Sequence, residues 1–394
     1  MKVRWLTLLR VLVIVAAGGW ICWFVLRSRL NSQLALAHNK LGGLLLRRGD
    51  LAGALQQYEE STKIDPTNPS TTVDMGTTLL RMGRADEAIR EYEEALKLDP
   101  EYAEAWFDAG NALGVAGRLP EAIEKYQQAL KLKPRYAEAH NNLGSVLVKS
   151  GRLKEGMDEY AAALEIDPGY AEAHDNLGSA MMLAGNVPDA MEQFGIALRL
   201  NPDDAEALGN MGDALARQGR FSEAIEEFRA ALKIDPGLAE THNRMGGVLQ
   251  QAGQTEDAAE QYVEALKINP GYAEAHLNLG IALSAMGMFP EAEEQIQAAL
   301  KLLPDNPVER TSLGNVFLRC GKFSDAITQY REALKRDPDF AEAHNNLGAA
   351  LEQEGRLAQA AAEYREALRI NPNDQEAQEN LARVAGKKKP APSH

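Results

Sequence analysis

The sequence predicts an all-α protein: one transmembrane helix, then a right-handed superhelical solenoid of ten 34-residue helical hairpins, then a C-terminal capping helix. Ten prolines, from Pro66 to Pro372, recur at intervals of 34 residues. Two glycine series, Gly42 to Gly348 and Gly49 to Gly355, keep the same interval. Three registers with one period and no insertion or deletion indicate a repeat array, in which each unit packs on its neighbours.

The first predicted element is the transmembrane helix. Residues 5–26 form an apolar run of 22 residues that contains a single charge, Arg10, near one end. A run of this length is sufficient to span a bilayer. A cleaved signal peptide is the alternative, but the small residues 16–19 lie in the middle of the run, which continues past them. The basic residues before the run predict a single-pass membrane protein whose array lies outside the cytoplasm.

Each repeat is predicted to be a helix, a tight turn and a second helix. In residues 137–170, apolar residues recur at helical spacing on both sides of Gly151. They are Ala139, Leu143, Val146 and Leu147 before the turn, and Met157, Tyr160, Ala163 and Leu164 after it. Gly151 supplies the positive φ of the turn. Gly144 lies inside the first helix, where glycine costs about 1 kcal/mol relative to alanine, so its recurrence predicts close packing against another helix.

Boundary residues mark the second helix of each unit. Ser222 and Ser324 are predicted to cap its N-terminus with their hydroxyl groups, and Pro120 fits its first turn. The helix is predicted to end at dipeptides such as Asp99-Pro100, because the residue before a proline is displaced from the α region.

Leu143, Gly144, Tyr160, Ala163 and Pro168 occupy the positions that define the tetratricopeptide repeat (TPR), and the chain resembles that family over residues 35–386. The string AEAHNNLG, at 137–144 and again at 341–348, makes the array most similar to the superhelical domain of O-linked N-acetylglucosamine transferase. No glycosyltransferase domain follows it here, so we do not expect that activity.

Together with the apolar run and the basic tail, the resemblance predicts a division of the chain into four parts. They are a membrane anchor with a short linker (1–34), ten TPR units (35–374), a capping helix (375–386) and a basic tail predicted to be disordered (387–394). It also implies that the first helices line a concave groove that binds peptides or proteins.

One polar register lies on the first helices, two residues before each helical glycine. Its members, which we call the polar row, are Asp74, Asp108, Asn142, Asn176, Asn210, Arg244, Asn278 and Asn346. The series of asparagines is interrupted at Lys40, Arg244 and Ser312. A carboxamide offers two donors and an acceptor, enough to bind the main chain of an extended peptide. The row is therefore a candidate peptide-binding surface. The alternative is that these side chains bond only between adjacent helices.

Two further registers are weaker candidates. Six histidines share one position and are predicted to serve helix packing: His38, His140, His174, His242, His276 and His344. Five basic residues recur on the first helices and either form a solvated face or meet acidic partners: Arg47, Arg81, Lys149, Arg217 and Arg319. The carboxylate clamp of chaperone-binding TPR proteins is not expected, because acids such as Glu104 and Glu138 occupy its positions.

Charge argues against a nucleic-acid partner. All 57 acidic residues lie within 35–386 together with 34 of the 42 basic residues, which gives this region a net charge of −23. Such a surface repels a polyanion. Cys22 lies in the predicted transmembrane run and Cys320 lies in the ninth unit, so the two are not expected to pair within one chain. The sequence has no nucleophile–base pair, phosphate loop or metal-ligand cluster, so no enzyme activity, cofactor or metal is predicted.

The leading hypothesis is a membrane-anchored scaffold that binds protein or peptide segments in its groove. It would support the assembly or localisation of a membrane or envelope complex. The alternative is a targeting subunit that recruits a separate glycosyltransferase or protease to its substrates. The oligomeric state is not predicted.

Overall fold

The computed structural model describes residues 27–387, which hold 21 α-helices and no β-strand. These residues fall into two compact units that divide between Leu200 and Asn201. In both units a first helix and a second helix of 14 residues pack as an antiparallel hairpin, and each hairpin contacts the next one within its unit. The first helices have 13 residues, except α1, which is described over 27–47.

The first unit holds ten helices. They are α1 (described over 27–47), α2 (Leu51–Ile64), α3 (Pro69–Arg81), α4 (Ala85–Leu98), α5 (Ala103–Val115), α6 (Leu119–Leu132), α7 (Ala137–Lys149), α8 (Leu153–Ile166), α9 (Ala171–Leu183) and α10 (Val187–Leu200).

The second unit holds eleven helices, of which the last has no hairpin partner among the described residues. They are α11 (Ala205–Arg217), α12 (Phe221–Ile234), α13 (Ala239–Gln251), α14 (Thr255–Ile268), α15 (Ala273–Ala285), α16 (Phe289–Leu302), α17 (Pro307–Arg319), α18 (Phe323–Arg336), α19 (Ala341–Gln353), α20 (Leu357–Ile370) and α21 (Gln375–Lys387).

The helical glycines let a large side chain of the second helix lie directly on the backbone of the first. A Cβ atom added at Gly144 would lie 2.8 Å from the ring of Tyr160 and 3.0 Å from the carbonyl oxygen of Gly156. Phe194 approaches Gly178 in the same way. Tyr160 and Phe194 are both buried. The close packing predicted from the glycine register is therefore present within each of these hairpins.

The turns depend on the second glycine series, as predicted. Its ten members all have positive φ, with Gly151 at 82°. Beyond this glycine, the backbone N–H of Arg152 donates to the carbonyl of Leu147 at 2.9 Å. This bond satisfies a carbonyl group that the end of the first helix would otherwise leave unpaired.

The predicted hydroxyl caps are wrong. Helices α12 and α18 begin one residue before Ser222 and Ser324, at Phe221 and Phe323, so the N-cap residues are Arg220 and Lys322 and neither forms a side-chain cap. Arg220 instead binds Glu223 of the first turn through two charged hydrogen bonds of 2.8 and 2.6 Å. An acid in the first turn also favours the positive end of the helix dipole.

The predicted membrane localisation is corrected by the structure. Among residues 27–387, none of the helices combines the length and the apolar character that crossing a bilayer requires. The run proposed to span the membrane, residues 5–26, lies outside the described residues, as do Cys22 and the tail 388–394.

The glycine contacts give a test of this packing. We expect Gly144→Ala to destabilise the protein by about 1–2 kcal/mol, because overpacking against Tyr160 and the Gly156 carbonyl outweighs the gain in helix propensity. Gly247→Ala in α13 is the matched control, since an added Cβ there meets nothing within 4 Å. It should be neutral or stabilising by up to about 1 kcal/mol. Urea unfolding followed by circular dichroism measures both, and equal effects would contradict the packing.

Candidate functional site

The structure places every member of the polar row on a first helix, partly exposed to solvent. Asp74, Asp108, Asn142 and Asn176 lie on α3, α5, α7 and α9 of the first unit, while Asn210, Arg244, Asn278 and Asn346 lie on α11, α13, α15 and α19 of the second. The row is thus one side chain per hairpin on helices that pack in succession within each unit.

In several hairpins the row residue bonds to an amide of the preceding first helix. The Nδ2 group of Asn176 donates to Oδ1 of Asn141 at 3.0 Å, and that of Asn278 donates to Oδ1 of Asn243 at 3.0 Å. Helix α21 continues the pattern, because Asn380 donates to Asn345 at 3.0 Å. Since the acceptor amides are buried, each of them needs such a partner.

A second pattern appears where the preceding helix has no asparagine at that acceptor position. Asn142 donates to Oδ1 of Asn111 at 2.8 Å, and Asn346 donates to Oδ1 of Asn315 at 3.0 Å. Each acceptor directly follows the helical glycine of the preceding hairpin and also accepts from a buried tyrosine, as Asn111 does from Tyr126 at 2.7 Å. The row asparagine therefore joins two hairpins through a shared acceptor.

Arg244 replaces the amide with a charge pair. The Nη1 group of Arg244 donates to Oδ2 of Asp213 at 2.8 Å and to Oδ1 of Asn210 at 3.4 Å. Its Nε atom is buried and has no hydrogen-bond partner among the described residues, although it lies 3.8 Å from Oε1 of Glu240. These bonds show that the row serves contact between helices. A peptide-binding role would use the donors and acceptors of the same side chains that these bonds leave unused. That role stays a prediction.

The acidic end of the row has perturbed ionisation. Asp74 accepts from Nδ2 of Asn39 at 3.2 Å. Burial raises the pKa of Asp108 to about 6, and the nearby negative charges of Glu104 and Asp74 act in the same direction. The ionised form of this carboxyl group is therefore disfavoured, and a cation that approaches it would stabilise it.

The histidine register is part of the hairpin. In all six residues Nδ1 bonds to a glutamine or glutamate nineteen positions later on the second helix, for example His174 to Gln193 at 2.7 Å and His140 to Glu159 at 2.6 Å. These bonds account for the recurrence of histidine. The five basic residues of the other register are exposed.

A cavity of about 600 Å³ lies among α15, α17 and α19 of the second unit. Its apolar lining includes Ile281 and Val308, which are both exposed, and Phe340. Its polar lining includes two positions of the polar-row register, Ser312 and Asn346, together with Asn315. Here the row borders a space large enough for a ligand.

Two polar groups in this cavity are suited to a ligand. The Thr311 side chain is 1% exposed, and its hydroxyl has no hydrogen-bond partner among the described residues. A buried hydroxyl without a partner costs about 1–3 kcal/mol, which a ligand that bonds to it recovers. Arg319 supplies a guanidinium whose Nη1 donates to Ser284 at 3.1 Å. Glu342 supplies the opposite charge to the same lining.

The segment 307–312 differs from other units in sequence, and that difference was the signal for the cavity. Where residues 341–346 read AEAHNN, residues 307–312 read PVERTS. Val308 and Thr311 follow from this change, and the sequence analysis did not single them out. Glu309 is a further consequence: it is 2% exposed, where the equivalent Ala275 and Ala343 are fully buried. One of its carboxylate oxygens has no partner among the described residues, and burial raises its pKa.

Family models match most of the described chain. The model described as the C-terminal domain of cilia and flagella-associated protein 70 matches residues 98–316, more than half of the chain. Models described as tetratricopeptide repeats match residues 25–69, 76–114 and 311–375. No curated protein matches the chain significantly.

Solved structures resemble the chain in fold. A tetratricopeptide repeat protein from Parabacteroides merdae is 17% identical, with a TM-score of 0.52 over 63% of this chain and 98% of that one. MamA is 29% identical over 42% of this chain and 97% of its own, with a TM-score of 0.39. YrrB, described as a TPR protein with an unusual peptide-binding site, is 27% identical over 47% and 95%, with a TM-score of 0.38. The first of these shows the TPR fold.

The pKa of Asp108 gives a prediction for stability against pH. The folded-state pKa of about 6 lies above the usual value of 3.8, so ionisation disfavours folding and the cost is present above pH 6. We expect Asp108→Asn to stabilise the protein at pH 7.5 by up to about 3 kcal/mol. The gain should shrink below pH 6 and vanish near pH 4. Thermal unfolding of both proteins across this range tests it, and a gain independent of pH would contradict it.

Glu309 gives a second stability prediction. We expect Glu309→Ala to stabilise the protein at pH 7 by about 1–3 kcal/mol, because it removes a buried oxygen without a partner and restores the alanine of other units. Since the pKa of Glu309 is raised by burial, the gain should be smaller at pH 4. Glu342→Ala, at an exposed position on the next first helix, is the control and should change stability by less than about 0.5 kcal/mol. Loss of stability in Glu309→Ala would contradict this account.

Proposed function

Because the chain belongs to the tetratricopeptide repeat proteins, and within them to the family of the C-terminal domain of cilia and flagella-associated protein 70, we propose that it is a scaffold that holds an extended peptide of a partner protein in the cavity among α15, α17 and α19. TPR proteins serve as protein-binding scaffolds. The observation that carries the proposal is the Thr311 hydroxyl, buried without a partner in a cavity edged by exposed apolar residues.

The lining defines the chemistry of the peptide. Ile281, Val308 and Phe340 present apolar surface to one aliphatic side chain of the ligand. Arg319 favours an acidic residue beside it, because a guanidinium binds a carboxylate through paired donors. Asn315 and Asn346 offer carboxamides to the peptide main chain, which has both donors and acceptors. We therefore propose an extended segment in which an aliphatic residue neighbours an acidic one.

The rest of the polar row enters the proposal with a second role. In the first unit, Asp74 and Asp108 form an acidic surface with Glu104, which suits a basic segment of a partner. Asn142, Asn176, Asn210 and Asn278 would add main-chain contacts beside their bonds between helices. A scaffold with both surfaces would support the assembly of a protein complex. Recruitment of a separate enzyme is the alternative, and a catalytic activity that copurifies with the tagged chain distinguishes it.

The proposal predicts which variants lose the ligand. Random 12-residue peptides selected by display on the full chain should be enriched for an aliphatic residue next to an acidic one. A selected peptide should bind at least tenfold more weakly to Ser312→Trp, which adds an indole ring to the cavity lining, and to Arg319→Gln, which removes the carboxylate partner. Fluorescence anisotropy measures both affinities.

Lys149→Gln is the matched control, because Lys149 holds the register of Arg319 on a first helix of the other unit. It should bind as the native chain does. Circular dichroism verifies that each variant is folded. Selected peptides whose affinity is unchanged in both cavity variants would show that the ligand lies elsewhere on the array.

A further inference from the structure

The first helix of the array presents an apolar stripe that nothing in the described structure covers. It consists of Leu30, Leu34, Ala37, Leu41 and Leu44, all exposed. The intervals are four, three, four and three residues. A stripe with this 3.5-residue period is typical of a helix that packs along a second helix. We call it the α1 stripe.

Equivalent positions in later hairpins are buried by a neighbouring helix. Leu41 is 44% exposed and Leu44 is 54% exposed, whereas their counterparts Leu143 and Val146 are 2% and 6% exposed. The counterparts lie in a hydrophobic cluster with Ile123 of α6, the second helix of the preceding hairpin. Nothing in residues 27–387 takes the place of α6 in front of α1. The repeat geometry therefore specifies the missing neighbour as a helix.

The length of α1 supports the same conclusion. The other first helices have 13 residues, and the 34-residue register would begin this one at Ala35. Instead α1 is already helical at residue 27 and reaches residue 47, about 30 Å. The extension carries Leu30 and Leu34 in line with the stripe. An extension that served only to end the array would have no reason to continue an apolar face.

The two ends of the described array differ in this respect. At the C-terminal end, α21 buries Ala377 and Val384 and has no exposed large apolar side chain among its described residues. Its outer side chains include Gln378 and Glu379, which water solvates. The stripe on α1 has the opposite character. A cover is therefore needed at α1 and not at α21.

Charge identifies the class of helix that fits. Between residues 27 and 47 the sequence has four cations, Arg27, Arg29, Lys40 and Arg47, and no acid. At 100° per residue, Arg29, Lys40 and Arg47 follow one edge of the stripe. A second copy of this chain would bring four more cations to the same contact. An amphipathic helix with acidic edges would pair with them and bury the leucines at once.

We propose that the α1 stripe is a docking surface for an acidic amphipathic helix of a partner protein, which packs along α1 as the second helix of a preceding hairpin would. The site is independent of the cavity among α15, α17 and α19.

Two labelled 21-residue helical peptides test the proposal on the full chain. Both carry leucine at the heptad core positions, and their flanking positions hold glutamate in one and lysine in the other. By fluorescence anisotropy, we expect the glutamate peptide to bind at least tenfold more tightly than the lysine peptide. Leu34→Ser/Leu41→Ser should weaken it at least tenfold. Lys40→Glu/Arg47→Glu should reverse the preference.

The control is Val115→Ser/Leu183→Ser, which removes two even more exposed apolar residues from other helices and should leave binding unchanged. Equal binding of the two peptides, or of neither, would overturn the proposal. Sedimentation velocity without peptide tests a second copy as the occupant: a dimer of the native chain that Leu34→Ser/Leu41→Ser converts to a monomer would show that a second copy covers the stripe and would overturn the proposal.

Discussion

The contact between a helical glycine and a large side chain of the next helix is the constraint on which each hairpin depends. Because Tyr160 lies on the backbone at Gly144, the rotation of α7 against α8 is fixed. Asn142, two residues before that glycine, is then about 160° away around the helix axis and faces away from α8. The position of the polar row is thus a geometric consequence of the glycine contact, and it recurs wherever the contact does.

This geometry couples the sequences of neighbouring hairpins. Buried Asn141 accepts from Asn176, and buried Asn243 accepts from Asn278. If either donor were replaced by an apolar residue, the Oδ1 atom of the buried amide would lose this partner, at a cost of about 1–3 kcal/mol. Where Phe107 stands at the acceptor position, Asn142 bonds to Asn111 instead. The variation between units is therefore matched in pairs, and each unit is fitted to the neighbour it has.

The period made most of the fold predictable, because each glycine and proline has one conformational use at its position. The helix starts were less predictable: Ser222 looked like a cap, but the turn at Gly219 places Arg220 there. The hydrogen-bond partner of each polar-row residue depends on which residue the preceding first helix carries. The sequence of a single repeat unit therefore does not predict that partner. The cavity arises because the whole segment 307–312 differs in sequence from the equivalent segments of other units. The effect of this change is a space among three helices.

Charge divides the chain in a way that bears on selectivity. The array has a net charge of −23, so an acidic partner meets repulsion over most of its surface. On α1, where four cations and no acid lie along the apolar stripe, the sign is reversed over a short distance. An acidic partner of α1 is attracted locally by the cations of α1 but repelled by the field of the net negative charge of the array. This favours a partner that makes apolar and ionic contacts together, because neither kind of contact by itself offsets the repulsion. The same field penalises acidic partners that would dock elsewhere, and so it restricts them to α1 and to the surroundings of Arg319.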